Sequence, residues 1–242
     1  MVLLGASNLT RGISTVVDTA ARAWGRPLDL LAAIGHGRSY GMSSTVLGRT
    51  LPGILQCGLW AALDARPAAP TAALATDIGN DLFYGAAVEQ VAEWVERCLD
   101  RVAERGARTI VARLPVCNLP RVRPWQYAIV RRALFPSCRL SLTEIAERAA
   151  ALDEKIARLA RERNCRLLEP RAEWYGFDPI HVKSRHAPRV WSRWLSEWSD
   201  AEIAPARGSI ARWLRLRCSA AERVVRFGVE RRCAQPSARL DD

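Results

Sequence analysis

Short apolar runs alternate with longer segments of helical period along this chain, a pattern that leaves few architectures open. The runs at 2–5, 28–34, 71–77, 109–114 and 166–168 are too short for helices, and most carry little polar alternation, as strands covered on both faces do. Between them Val88, Val91, Val95, Leu99 and Val102 recur at three and four residues, giving one apolar helix face that Gly106 can terminate. Leu142, Ile145, Ala149, Leu152, Ile156 and Leu159 repeat the pattern. That second helix opens at Ser141-x-x-Glu144, whose side chains can each satisfy a free N–H of the first turn. Strands and helices in this order specify an α/β fold with a doubly wound parallel sheet of five strands.

Two stretches depart from the pattern. Pro115, Pro120, Pro124 and Pro136, with Trp125, Tyr127 and Phe135 among them, read as a long loop or small lid after the fourth strand, a position that often shapes a substrate site. After a closing helix from Pro188 to Trp198 and the Ala204-Pro205 break, Trp213, Leu216, Ala220, Val224 and Phe227 form a stripe backed by Arg212, Arg215, Arg223 and Arg226. This is expected to be a basic amphipathic helix. The chain thus divides into residues 1–200 and a basic tail, 201–242.

The formal charge is +11, and between Ile203 and Leu240 nine arginines stand against Glu222 and Glu230, so most of the excess lies in the tail. One reading gives the tail helix an anionic membrane surface as partner; the other has it cover a core edge. No specific nucleic-acid partner is expected. The seven cysteines are odd in number and form no CxxC pair, which points to reduced thiols rather than a zinc site or disulfide framework. No apolar run approaches the roughly 18 residues of a membrane span, and no signal-peptide pattern precedes the first motif, so a soluble, cytoplasmic protein is expected. Because the first strand begins at Val2, a native start upstream stays open.

In a doubly wound sheet, ligands bind beyond the carboxyl ends of the strands. The first strand runs into Gly5-Ala6-Ser7-Asn8-Leu9, where Ser7 is either a helix cap or a nucleophile beside a helix N-terminus. The second ends at Gly35-His36-Gly37, a glycine-rich turn that can present N–H groups to an anion. The third ends at Gly79-Asn80-Asp81, where the Asn80 amide can donate to an oxyanion or open a helix. Last come Asp178-Pro179-Ile180-His181, an acid placed to fold back onto one imidazole nitrogen while the other faces a nucleophile. His36 lies near the proposed anion pocket, and Trp174, Tyr175 and Phe177 are candidates to line an acyl or alcohol pocket, with core packing as their other reading. A metal site of histidine and Asp178 lacks ligand spacing, so neither metal nor cofactor is expected.

Taken in order, these pieces resemble the motif blocks of the SGNH, or GDSL-like, serine hydrolase (esterase/lipase) family, over residues 1 to about 200. The resemblance implies a three-layer α/β/α, flavodoxin-like fold and hydrolysis of a small-molecule ester or thioester. It assigns Ser7 as nucleophile, His181 as general base and Asp178 as the group that orients the imidazole. The oxyanion is then held by the backbone N–H groups of Ser7 and Gly37 and the side chain of Asn80. Ala6 departs from the family, which often has Asp there, and the loose match at Gly37 leaves Gly35 or Gly41 as substitutes. The same constellation serves an acyltransferase, and a non-catalytic scaffold whose basic tail binds anionic lipid or nucleic acid is the remaining alternative.

Overall fold

A computed structural model describes residues 1–176, 178–199, 202–218, 222–233 and 237–240. In chain order the elements are β1 (Val2–Leu4), α1 (Ser7–Trp24), β2 (Leu28–Ala33), β3 (Ser44–Val46), β4 (Arg49–Leu51), α2 (Leu59–Asp64), β5 (Ala72–Ala75), α3 (Asn80–Phe83) and α4 (Val88–Ala103). They continue as β6 (Arg108–Ala112), α5 (Pro124–Leu134), α6 (Leu142–Glu162), β7 (Arg166–Leu168), α7 (Ala187–Ser196), α8 (Ile210–Cys218), β8 (Glu222–Arg226), β9 (Val229–Cys233) and β10 (Ser237–Leu240).

The five strands expected from the apolar runs pair in parallel in the order β2-β1-β5-β6-β7. Side-chain alternation sends Val2 and Leu4 to one face, into a core shared with Val91, Val95, Leu152 and Ile156 of α4 and α6. Leu3 points the other way, into a core with Leu9, Ile13 and Val16 of α1 and Trp191 and Leu195 of α7. Burial of both faces explains why the strands read as unbroken apolar runs and makes the molecule a three-layer α/β/α fold. The chain leaves β1 for β2 and then returns past β1 to β5, so strand order reverses between β1 and β5. Crossover connections part on opposite faces there and leave a crevice at the strand ends.

The Ser141 capping box forms as anticipated, with Ser141 N–H donating to Glu144 Oε2 (2.8 Å) and Glu144 N–H to Ser141 Oγ (3.2 Å). On the opposite face, α1 and α7 approach so closely that a Cβ built on Gly12 would lie 2.3 Å from Nε1 of Trp191. The indole is fully buried and cannot swing aside. Gly12→Ala is therefore expected to cost about 1–3 kcal/mol of stability, read as a lowered urea midpoint at unchanged slope.

Two expectations are corrected. The proline-rich stretch is not an open loop: it forms a 3₁₀ turn at Val116–Arg121 and then α5. Pro124 occupies the first turn of α5, where a missing N–H costs nothing, so it starts the helix rather than breaking it. The tail is not one amphipathic helix. α8 ends at Cys218, and Val224 lies in β8, which pairs with β9 and β4. Phe227 and Gly228, both at positive φ (49° and 79°), make the two-residue hairpin turn between β8 and β9. β10 adds to β2 as an antiparallel edge, so the main sheet has six strands, five of them parallel. Ala220 lies outside the described residues. α8 itself packs on α1: Leu216 is buried, Trp213 Nε1 donates to the Thr10 carbonyl (3.1 Å) and Arg212 pairs with Asp18. Among the described residues, no helix is long and apolar enough to cross a membrane.

Candidate active site

Ser7 is the first residue of α1, directly after β1, and Ala6 rather than Ser7 holds the cap position. Its N–H is among those at a helix start with no partner inside the helix. Asp77, just past β5 on the other side of the strand-order reversal, holds this turn from across the crevice. Its Oδ2 accepts the N–H groups of Ala6 (2.8 Å) and Leu9 (3.2 Å), and its Oδ1 accepts Nδ2 of Asn8 (2.7 Å). Asp77 adopts the left-handed region (φ 58°), a conformation acidic residues tolerate better than most. A carboxylate thus supports the serine turn although Ala6 itself carries none.

The loop carrying the last motif closes over Ser7. His181 Nε2 lies 2.7 Å from Ser7 Oγ, and its Nδ1 forms a short hydrogen bond with Asp178 Oδ2. With the Nδ1 proton directed at the carboxylate, Nε2 is the acceptor for the serine hydroxyl. Asp178 Oδ1 also accepts the N–H groups of Ile180 (3.1 Å) and His181 (3.2 Å), folding the four-residue motif into a compact turn. Burial alone would raise the Asp178 pKa, but the hydrogen bond and charge of His181 and those two backbone N–H groups outweigh it and hold the carboxyl below its ordinary range.

Asn8 ties this loop to the serine turn. Its Nδ2 donates to the Ile180 carbonyl (2.9 Å) as well as to Asp77, and its Oδ1 accepts the Val182 N–H (2.9 Å), so it bonds both neighbours of His181. From the lid side, Asn118 Nδ2 donates to the Pro179 carbonyl (3.0 Å). Local sequence carries no signal for these contacts, because Asn8 and Ile180 are 172 residues apart. Asn8→Ala is expected to loosen the His181 loop. The loosening is read as faster hydrogen exchange of the Val182 amide, which loses its acceptor, while the unfolding temperature shows that the fold survives.

The two other motif loops meet at Asp81. Asp81, fully buried, receives the Ser39 hydroxyl and the Tyr40 N–H (3.1 Å), and Ser39 Oγ in turn accepts the N–H groups of Gly41 (3.1 Å) and Met42 (2.8 Å). Burial raises the Asp81 pKa above its usual value, against these hydrogen bonds. Asn80 Nδ2 donates to the Arg38 carbonyl (3.2 Å), using one of its two N–H bonds. Gly37 is buried at φ 64°, its carbonyl accepting the Tyr84 hydroxyl (2.7 Å).

Ser7 and His181 are only 8% and 9% exposed, yet Ser7 opens on a cavity. Ser7, Asn8, Asp77 and Asn80 make its polar end. Leu82, Phe83, Leu114, Leu119, Val122, Tyr127, Val130, Leu142, Ile145 and Ala149 make a long apolar wall from α3, the lid and α6. Tyr175 also lines it; Trp174, Gly37 and His36 do not. Trp174 instead stacks edge-on with Trp194 (6.2 Å between centroids) in the core beneath α7, and His36 is exposed. Phe177 lies outside the described residues. Trp194 reaches the cavity too, and its Nε1 is buried with no hydrogen-bond partner among the described residues, a donor that sequence reading did not single out.

No protein-family model matches the chain. No curated protein matches it either. Solved structures do. A psychrotrophic esterase, EstA from Pseudoalteromonas sp., determined with monoethylphosphonate as inhibitor, aligns at a TM-score of 0.52 with 14% identity over 81% of this chain and 96% of its own. A member of the lipolytic protein G-D-S-L family from Veillonella parvula DSM 2008 aligns at 0.51 with 10% identity over 81% and 96%. The chain therefore has the three-layer α/β/α fold seen in these esterase and G-D-S-L-family structures, the fold that its own four motifs imply.

Proposed function

We propose that this protein hydrolyses carboxylic or thio-esters through an acyl-enzyme on Ser7. The observation that carries the proposal is the continuous chain of hydrogen bonds from Ser7 Oγ through both nitrogens of His181 to Asp178 at the mouth of an apolar cavity. His181 takes the hydroxyl proton as Oγ adds to the acyl carbon, and Asp178 stabilises the imidazolium that forms. The new oxyanion is met by the Ser7 N–H and the second N–H of Asn80, both at the cavity, whereas Gly37, the third donor the resemblance implies, is buried and does not line it. Collapse of the intermediate expels the alcohol or thiol, which receives the proton from His181. Water, deprotonated by the same ring, then releases the acid and restores Ser7.

The apolar wall from Leu82 to Ala149 fits the acyl chain, with the leaving group directed to solvent. Each methylene buried there contributes about 0.8 kcal/mol, so kcat/KM for p-nitrophenyl esters should rise about fourfold per carbon beyond acetate until the cavity is filled. A profile that falls steadily from acetate would place the acyl chain elsewhere. The Pseudoalteromonas esterase is inhibited by a phosphonate, and a fluorophosphonate is the matching probe here. A single adduct on Ser7, located by peptide mass spectrometry, is expected; no adduct at this serine under conditions of turnover removes it as nucleophile.

A further inference from the structure

The helix that walls the cavity has two different faces. Gln126, Tyr127 and Val130 of α5 turn inward and line the cavity. On the other side Trp125 and Ile129, one turn apart, are 52% and 55% exposed. A soluble helix usually spends such residues on its inner face.

The segment that carries this pair is basic, and the first carboxylate after it is Glu144 of α6, close enough to Tyr127 to act on its hydroxyl. Residues 115–143 hold five arginines and no aspartate or glutamate, and four of the five, Arg121, Arg123, Arg132 and Arg139, are exposed. Only Arg131 turns inward, donating to the Cys138 carbonyl (2.8 Å). An exposed indole and branched aliphatic chain in a segment with four exposed arginines match the boundary between headgroups and acyl chains of an anionic bilayer, where tryptophan settles and arginine binds phosphate. A nucleic-acid surface would be polar throughout and would leave the apolar pair without a role.

We propose that the outer face of α5 docks on an anionic lipid surface, so that the cavity wall lies against the layer that would hold an acyl ester. The docking itself is separate from the esterase reading, because it is measured without turnover and in Ser7→Ala protein as well. It also differs in place from a membrane contact through the tail. α8 has its own outward pair, Ile210 and Leu214, but its inner face is docked on α1, away from the cavity wall.

The test is co-sedimentation of the full chain with vesicles of phosphatidylglycerol and phosphatidylcholine, against vesicles of phosphatidylcholine alone. Binding is expected only to the anionic vesicles and should vanish near 1 M salt, where the screening length is about 3 Å. Trp125→Ala/Ile129→Asp should weaken it by at least about tenfold. Arg121→Gln/Arg123→Gln/Arg132→Gln should weaken it roughly 100-fold. Both variants alter exposed side chains and should keep the wild-type unfolding temperature. Equal binding to neutral vesicles, or binding that survives both variants, overturns the proposal, as does loss on Ile210→Asp/Leu214→Asp instead. A dimer in size-exclusion chromatography that Trp125→Ala/Ile129→Asp dissociates, with no vesicle binding, assigns the face to a second copy. Oligonucleotide binding that needs the arginines but not Trp125, again without vesicle binding, assigns it to nucleic acid and equally overturns the proposal.

Discussion

Ser7→Ala protein is expected to fold normally and to lose ester hydrolysis by a factor of about a million in kcat, the loss typical when a serine nucleophile that acts as one unit with its base is removed. The side chain is small and makes one described hydrogen bond, to His181 Nε2 (2.7 Å), so its removal should cost only about 1 kcal/mol of stability. The pairing of a large kinetic effect with a small thermodynamic one is the signature to look for. It is read from turnover of a p-nitrophenyl ester beside a thermal melt of the same sample. Residual activity within about tenfold of wild type would mean that the hydroxyl beside His181 is not the attacking group.

The second large effect concerns Asp178. Replacement by Asn preserves shape but turns an amide N–H toward Nδ1, which selects the wrong imidazole tautomer and points a hydrogen at Ser7. A loss of about 10⁴ in kcat is expected. The same substitution carries a pH signature. The Asp178 pKa is lowered in the folded protein by His181 and two backbone N–H groups, despite burial. Its stabilisation is therefore fully present above the unfolded carboxyl pKa of about 4 and is lost as the pH falls through the lower folded value. The stability gap between wild type and Asp178→Asn should thus be widest near neutrality and close below about pH 4. A gap that is constant down to pH 3 or below would mean that the carboxylate is not held by these donors.

Much of this arrangement was legible because its pieces are local. Asp178 and His181 are three residues apart, and the turn they form rests on hydrogen bonds within the motif. The strands at 2–4, 28–33, 72–75, 108–112 and 166–168 were readable as apolar runs because both of their faces are covered. The lid helix was less legible since its prolines look like breakers in a linear reading, whereas only their position relative to the first turn matters. The tail misled for a related reason: arginines spaced by three and four residues fit a helix, but the partner strands β4 and β2 supply an alternative that no local pattern announces.

What the sequence determined by itself, then, is the order of the five parallel strands, the helices α4, α6 and α7, and the chemical character of the four motif loops. These follow from periodicity and turn chemistry acting over a few residues. The fold alone decided that Asp77 supports the serine turn, that Asn8 bonds both neighbours of His181 and that the proline-rich lid walls the cavity. Those contacts join chain segments by crossing the point where strand order reverses, and only the closing of the sheet brings them within hydrogen-bond reach.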